Sequence, residues 1–247
     1  MKNNKSLGQH WLKNRIILDY IADEAVNGEC ETCLEIGPGL GTLTSSLLKR
    51  FKKVIAVEFD QNLAQNLPKS FPGKNLEVIN ADFLKFDLNQ MPKAYCAAGN
   101  IPYYITSPII EKLLTAENQP QKIVLLMQKE VADRIASEKE TVLSLFVKNH
   151  AMVELGDIVY KAEFTPPPKV DSRVLILTPK TPEVKAEVFA LIKRGFSAPR
   201  KKLAANLAGL KSKDELKNIF AKINIDENAR PADLHLKDWQ NLFDNML

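Results

Sequence analysis

Leu34-Glu35-Ile36-Gly37-Pro38-Gly39-Leu40-Gly41 joins a predicted strand to a predicted helix through a glycine-rich loop. Glycine in such a loop lets the backbone turn tightly and approach a bound ligand closely. The pattern is typical of parallel-sheet domains that bind a nucleotide-containing ligand at the carboxyl edge of the sheet. It occurs with nicotinamide cofactors and with S-adenosylmethionine alike, so the loop predicts the kind of fold but not the chemistry.

Short apolar segments alternate with amphipathic ones through the first two-thirds of the chain. The predicted strands are Thr32–Ile36, Lys53–Glu58, Leu76–Asn80, Ala94–Gly99, Lys122–Gln128, Gly156–Lys161 and Arg173–Thr178. The predicted helices among them are Thr42–Phe51, Gln61–Leu67, Ser107–Leu114 and Lys129–Ala136. Apolar strands separated by helices predict an α/β fold with a mostly parallel seven-stranded sheet. The last two strands leave little room for a helix, which favours an antiparallel terminal hairpin.

The pattern changes after Thr178, where two prolines precede a purely helical region. The predicted helices there are Glu183–Phe196, Lys201–Leu210, Lys213–Ile223 and Leu236–Met246. We therefore predict a domain boundary near residue 180. It separates an α/β domain over residues 1–180 from a small all-α domain over residues 181–247.

The formal net charge of +4 is modest, but the basic residues are clustered. Residues 181–247 contain 12 Lys and Arg against 9 Asp and Glu, and Lys193–Lys202 contains five basic residues and no acid. Lys2, Lys5, Lys13 and Arg15 form a second basic group at the amino terminus. Such clusters favour a polyanionic partner such as nucleic acid. A solvated protein surface would explain them equally well.

Three features concern the compartment and possible metal binding. The cysteine count is 3, an odd number, and no apolar stretch approaches the roughly 20 residues of a membrane span. The basic amino terminus lacks the apolar region of a signal peptide. We therefore expect a soluble cytoplasmic protein that does not contact a membrane. Cys30 and Cys33 have metal-ligand spacing, but no second pair accompanies them, so no metal is predicted.

Carboxylates follow the second and third predicted strands. Glu58 lies 21 residues after Gly37, at a point where a carboxylate can accept hydrogen bonds from both ribose hydroxyls. Asp82 follows the third strand and could accept a hydrogen bond from an adenine amino group. Carboxylates at successive strand ends predict a nucleoside ligand at the carboxyl edge of the sheet. The same spacing fits a nicotinamide dehydrogenase.

Asn100-Ile101-Pro102-Tyr103, at the end of the fourth strand, favours methyl transfer over hydride transfer. The N6 lone pair of adenine is delocalised into the ring and is a poor nucleophile. The Asn100 oxygen and a backbone carbonyl can accept hydrogen bonds from both N6–H groups. These bonds favour a tetrahedral nitrogen whose lone pair faces a sulfonium methyl. Pro102 stiffens the turn, and Tyr103 offers an aromatic face to the base. We predict catalysis through positioning and electrostatics, without a strong general base.

These motifs resemble those of the ribosomal RNA adenine N6-dimethyltransferases of the KsgA type. The resemblance extends to Lys5–Leu12, Gln128–Arg134, Phe164–Ser172, Arg200–Leu203 and Asn206-Leu207. It implies a Rossmann-like S-adenosylmethionine methyltransferase fold. The cofactor contacts that it implies are His10, Leu12, Gly37, Gly39, Glu58, Asp82 and Asn100. It also implies that Phe164 helps to sandwich the target base and that Arg200, Lys201 and Lys202 bind RNA.

The substrate that the resemblance implies is a pair of adjacent adenosines in a hairpin loop near the 3′ end of 16S ribosomal RNA. The implied partner is the immature small subunit, and the implied oligomeric state is a monomer. Antibiotic-resistance enzymes that act on large-subunit RNA share the glycine loop and Asn100–Tyr103, and they stay an alternative. So does a ribosome-assembly factor whose catalysis is incidental. The chain departs from many members at His10-Trp11, where Asn-Phe is commoner.

Overall fold

The structure is a computed structural model that describes residues 10–246. These residues form two compact units. The first unit contains the chain up to Asp133 together with Met152–Pro179. The second contains Arg134–Ala151 together with the chain from Lys180 onward. Lys2 and Lys5 of the amino-terminal basic group, and Lys5–Gln9 of the first family motif, lie outside the described residues.

The first unit is built on a seven-stranded sheet. The strands of the chain are β1 (Trp11–Leu12), β2 (Thr32–Ile36), β3 (Lys53–Glu58), β4 (Leu76–Asn80), β5 (Tyr95–Asn100), β6 (Lys122–Gln128), β7 (Ala151–Val159), β8 (Phe164–Thr165) and β9 (Ser172–Pro179). The strand order in the large sheet is β4-β3-β2-β5-β6-β9-β7. Strands β2 to β6 pair in parallel, whereas β9 is antiparallel to β6 and lies between β6 and β7. The short strands β1 and β8 form a separate antiparallel pair.

The helices follow the hydrophobic pattern of the sequence. They are α1 (Arg15–Glu24), α2 (Thr44–Leu47), α3 (Gln61–Asn66), α4 (Thr106–Thr115), α5 (Lys129–Ala136), α6 (Val142–His150), α7 (Ala186–Gly195), α8 (Leu203–Leu207), α9 (Lys213–Lys222) and α10 (Leu236–Met246). Helix α1 begins at Asn14, whose side-chain oxygen accepts hydrogen bonds from two backbone N–H groups of the first turn. Helix α9 begins with a capping box formed by Ser212 and Glu215.

The core of the first unit explains why the apolar strands lie at its centre. All five residues of β2 are buried, and so are five of the six residues of β3. Burial of each Val, Leu or Ile side chain contributes about 1.5–3 kcal/mol. A strand buried on both faces needs a neighbour on each side for its backbone hydrogen bonds, and β2 pairs with both β3 and β5. The loop after β2 is thereby held near the middle of the sheet edge.

The second unit has its own apolar core and takes residues that the sequence placed in the first domain. Leu145 of α6 belongs to the same core cluster as Phe220 and Trp239. The buried carboxylate of Glu140 contacts the Lys148 amine at 2.7 Å and the His235 ring at 3.2 Å. The continuous part of this unit begins at Lys180, near the predicted boundary, and the unit also contains Arg134–Ala151, which the sequence analysis placed in the first domain. Partners of that segment lie far away in sequence.

Other differences concern short elements. Helices α1 and α6 were not predicted. Strands β1 and β8 were not predicted either, because two-residue strands carry no periodicity. Helix α2 is shorter than the predicted Thr42–Phe51, and β7 begins five residues before the predicted Gly156. Within residues 10–246 no helix is both long enough and apolar enough to cross a membrane.

Candidate active site

A cavity of about 300 Å³ opens at the carboxyl ends of β2, β3, β4 and β5 in the first unit. The loop that follows each of these strands contributes to its wall. The lining residues that the sequence had singled out are His10, Gly37, Gly39, Glu58, Asp82, Asn100, Pro102 and Tyr103. Parallel strands bring their carboxyl ends to one edge, which is why residues far apart in the chain meet here.

The glycine loop depends on backbone conformations that favour glycine and on close packing at Gly39. Gly37 and Gly39 have φ angles of 65° and 56°, in the left-handed region that glycine adopts at little cost. A Cβ atom on Gly39 would stand 3.2 Å from the Nε1 atom of Trp11. A Cβ atom on Gly99, just before Asn100, would stand 2.8 Å from the carbonyl oxygen of Ile36. Glycine at position 99 therefore lets β5 approach the end of β2 closely, and the left-handed backbone favours glycine at positions 37 and 39.

Glu58 holds the glycine loop in place. Its side chain is 6% exposed, and one carboxylate oxygen accepts a hydrogen bond from the Gly39 N–H at 3.0 Å. The other oxygen accepts one from the Asp60 N–H at 2.8 Å. Burial raises the pKa of Glu58, while these two backbone donors oppose the rise. Each oxygen retains a lone pair for a ligand hydroxyl.

Glu35 is a functional candidate that the sequence reasoning missed. Its side chain is 1% exposed and lines the cavity, and its Oε2 atom has no hydrogen-bond partner among residues 10–246. Burial raises the pKa of Glu35 to about 8, and the nearby charge of Glu58 acts in the same direction. A carboxyl group in a continuous apolar strand was the available signal, because buried acids are rare unless they have a function.

Asp82 lies on the loop after β4. It is partly buried on the cavity wall, and its side chain accepts a hydrogen bond from the Leu84 N–H at 2.9 Å. That bond fixes one oxygen within the loop. The other is free of protein donors among the described residues, as a ligand contact requires.

The end of β5 is fixed by residues from distant parts of the chain. The Asn100 side-chain nitrogen donates to the carbonyl oxygen of His10 at 3.0 Å. The His10 ring is hydrogen-bonded to the Pro166 carbonyl at 2.8 Å and is stacked with the Tyr103 ring, with 6.4 Å between centroids. The Tyr103 hydroxyl is hydrogen-bonded to the Ser172 hydroxyl at 2.9 Å. Burial raises the pKa of the Tyr103 phenol, so the hydroxyl stays protonated at neutral pH.

Leu12 and Phe164 are not on the cavity wall. They are opposite residues of the β1–β8 pair, 0% and 3% exposed, and both belong to the apolar core of the first unit. Leu12 therefore packs in the core and does not line the cavity, and its predicted contact with the cofactor stays a prediction. In this arrangement Phe164 has no exposed face for a base, and its predicted stacking on the substrate stays a prediction.

Two exposed aromatic residues border the cavity. Phe59 follows Glu58, and Tyr104 follows Tyr103; each is 64% exposed and lines the wall. The sequence analysis assigned neither a role. Aromatic residues immediately after predicted site residues were the signal that could have found them.

The predicted RNA contacts belong to the second unit. Arg200, Lys201 and Lys202 are exposed and directly precede α8. The Lys202 amine donates to the side-chain oxygen of Asn228. Within residues 10–246 no group of three His, Cys, Asp or Glu side chains is arranged to hold a metal ion.

Comparisons with known proteins identify the family of the chain. A family model described as ribosomal RNA adenine dimethylase matches residues 1–246. The chain is 38% identical over 264 residues to ribosomal RNA small subunit methyltransferase A of Rippkaea orientalis, covering 98% of this chain and 97% of that protein. A protein of the same name from Bacillus mycoides is 36% identical, with 96% and 89% covered.

Solved structures confirm the predicted Rossmann-like fold. The chain is similar to a dimethyladenosine transferase from Plasmodium falciparum, with a TM-score of 0.80, 31% identity, and 94% of this chain and 96% of that one covered. It is also similar to the 23S rRNA methyltransferase ErmE, with a TM-score of 0.78, 26% identity, and 96% and 99% covered. The predicted family is thus confirmed: the chain belongs to the ribosomal RNA adenine dimethylases, which are S-adenosylmethionine-dependent enzymes.

Proposed function

We propose that this chain dimethylates N6 of two adjacent adenosines in a hairpin loop near the 3′ end of small-subunit ribosomal RNA. The observation that carries the proposal is the orientation of the Asn100 amide. Its nitrogen is engaged by the His10 carbonyl, which leaves the oxygen as the acceptor for a substrate N–H. The identity of 38% to a small-subunit enzyme, against 26% to a large-subunit one, supports the small subunit as the target.

The cavity fits the methyl donor that this family uses. When bound, S-adenosylmethionine supplies a methyl group on a sulfonium sulfur, which is a good leaving group. The Oε2 atom of Glu35, which has no hydrogen-bond partner among the described residues, is available to a polar group of a ligand, and Gly37 has open space where a Cβ atom would stand. We propose that Gly37 and Gly39 face the methionine end, that Glu58 binds the ribose and that Asp82 binds the adenine amino group. His10 completes this wall.

The residues at the end of β5 position the target base. The Asn100 side-chain oxygen accepts a hydrogen bond from the N6 amino group. This bond is strongest when the nitrogen becomes tetrahedral, so its contribution belongs mainly to the transition state. Pro102, with a φ of −59°, precedes the turn that carries Tyr103, and the Tyr103 ring provides the stacking face. The leaving proton passes to water, since transfer from a sulfonium donor requires positioning and electrostatic stabilisation and no strong general base.

Glu58→Ala is expected to weaken S-adenosylmethionine binding by about 1.5–3 kcal/mol for each charge-assisted hydrogen bond removed. The loop also loses the anchor at Gly39, so the effect falls in the upper part of that range. Calorimetry measures the effect, with the exposed Glu77→Ala as the matched control. Glu58→Gln keeps one acceptor oxygen and should bind with intermediate affinity. Binding of NAD without binding of S-adenosylmethionine would contradict the cofactor assignment.

We further propose that the second unit binds RNA through phosphates. Changing Arg200, Lys201 and Lys202 together to alanine is expected to flatten the salt dependence of RNA binding by about 0.7–0.9 log units for each phosphate that the protein no longer neutralises. Cofactor affinity should not change. The control is Lys213, Lys217 and Lys222→Ala, which removes the same charge from exposed positions of α9. Equal salt slopes in the two triple variants would show that total charge, not this cluster, determines binding.

The experiment that tests the proposed substrate compares methyl transfer from labelled cofactor to immature small subunits and to large-subunit RNA. We expect labelled N6,N6-dimethyladenosine in the small subunits, formed by the chain as a monomer in the cytoplasm. Label in the large-subunit RNA alone would assign the chain to the antibiotic-resistance type.

A further inference from the structure

Ser172, the first residue of β9, touches the proposed site only through Tyr103. Its side chain is 1% exposed and does not line the cavity. The Tyr103 hydroxyl, 2.9 Å away, is the only hydrogen-bond partner of the Ser172 hydroxyl among the described residues. The two residues are 69 positions apart, so only the folded chain brings them together.

The backbone around Ser172 is held on both sides. Ser172 is paired with Gln128 in the β6–β9 ladder. The Asp171 carbonyl accepts a hydrogen bond from the Lys129 N–H at 3.0 Å. The Arg173 guanidinium donates to Asp133 at 2.7 Å and to the Gly156 carbonyl at 3.1 Å. The backbone that carries the Ser172 hydroxyl is therefore held in a fixed position at the amino-terminal end of β9.

The Tyr103 ring needs such a fixed point. It stands on a single 3₁₀ turn, Tyr103–Ile105, that contains no buried residue. The next residue, Tyr104, is 64% exposed, and its hydroxyl has no partner among residues 10–246. Among the described residues, the Tyr103 hydroxyl is thus hydrogen-bonded to a residue of the sheet, whereas the Tyr104 hydroxyl is not. A stacking face helps catalysis only if it holds the base in a reactive position.

We infer that Ser172 is a positioning residue for methyl transfer: its hydroxyl holds the Tyr103 hydroxyl and thereby fixes the ring face on which the target adenine stacks. The inference rests on the proposed role of Tyr103. It also sets the expectation for Tyr103→Phe, because a phenyl ring keeps the stacking face but loses the bond that orients it. Ser172 acts on the reaction only through that bond.

The test is a double-mutant cycle in a single-turnover methylation assay on immature small subunits. Ser172→Ala and Tyr103→Phe are each expected to lower the rate at saturating RNA by roughly 3- to 10-fold, the value of one neutral hydrogen bond. The double variant should be no slower than either single variant, since both remove the same bond. RNA and cofactor affinities should stay within about 2-fold of wild type, because phosphates supply most of the RNA affinity.

Two further variants separate positioning from stability. Ser46→Ala removes another fully buried hydroxyl, which donates to Asp19 at 2.7 Å and lies away from the cavity wall. It should lower thermal stability without lowering the rate. Ser172→Thr keeps the hydroxyl and should restore the rate.

The outcomes distinguish this inference from the proposed function. A wild-type rate for Ser172→Ala, or rate effects that multiply in the double variant, would overturn the positioning role while the function stands. If Tyr103→Ala also methylates at the wild-type rate, Tyr103 is not the stacking face, and the proposed arrangement of the site is wrong.

Discussion

Asn100→Ala is expected to lower the single-turnover rate of methyl transfer by about 10²–10³, the usual effect of losing one preorganised polar partner of a transition state. The Asn100 amide is held in one orientation, since its nitrogen donates to the His10 carbonyl at 3.0 Å. Its oxygen therefore needs no reorganisation when the N6 hydrogens arrive. RNA affinity should barely change, because most of it comes from phosphate contacts. A single-turnover assay with parallel RNA-binding measurements separates the two quantities.

The control for this variant is Asn75→Ala. The Asn75 side chain also donates to a backbone carbonyl, that of Lys52 at 2.9 Å, but it precedes β4 and is not on the cavity wall. Its removal should leave the methylation rate unchanged. If Asn100→Ala methylates as fast as the wild type, the proposed mechanism is wrong, although the family assignment stands on independent grounds.

Glu35→Gln is expected to stabilise the cofactor-free protein at alkaline pH. Burial raises the pKa of Glu35 from 4.5 to about 8, so between these values the native state keeps a proton that the unfolded chain loses. The free energy of unfolding then falls by about 1.4 kcal/mol per pH unit from this carboxyl alone. The contribution of the Glu35 carboxyl to the free energy of unfolding is greatest below pH 4.5 and is lost as pH rises to about 8. The total change is on the order of 4–5 kcal/mol.

Urea unfolding at about pH 5, 6.5 and 8 gives the free energy of unfolding of the variant and of the wild type, and their difference measures this effect. These pH values span the range in which the native and unfolded states differ in bound protons. Glutamine is uncharged at every pH, so the difference in unfolding free energy should grow as pH rises. Glu29→Gln, at an exposed position of the same unit, is the matched control. A difference that stays constant over this pH range would show that Glu35 titrates in the native state as it does in the unfolded chain.

Four strands could be predicted from sequence with accurate boundaries. The bounds of β2, β3, β4 and β6 equal the predicted ones, because each is a short run rich in apolar residues. Other peripheral elements were less predictable, although β4 is itself an edge strand of the sheet. Strand β7 is largely exposed or half-buried and begins earlier than its pattern indicates, and β1 and β8 exist only because they pair with each other.

The site was predictable where its residues follow strands in a local motif. Glu58, Asp82 and Asn100 each stand at or just after a strand end, so the parallel sheet necessarily brings them to one edge. The family motif also named Leu12 and Phe164, but motif membership does not distinguish a wall residue from one that packs behind the wall. Burial decides that question, and burial depends on the tertiary structure.

By itself the sequence determined the parallel sheet and the glycine loop and predicted a role for Asn100–Tyr103, since periodicity and local motifs encode them. Only the tertiary structure decided that Arg134–Ala151 belongs to the second unit and that Glu35 faces the cavity with an oxygen that no described residue contacts by a hydrogen bond. It also decided that Ser172 holds Tyr103. These three features depend on contacts between residues distant in the chain, and on the burial that such contacts produce, neither of which a local pattern records.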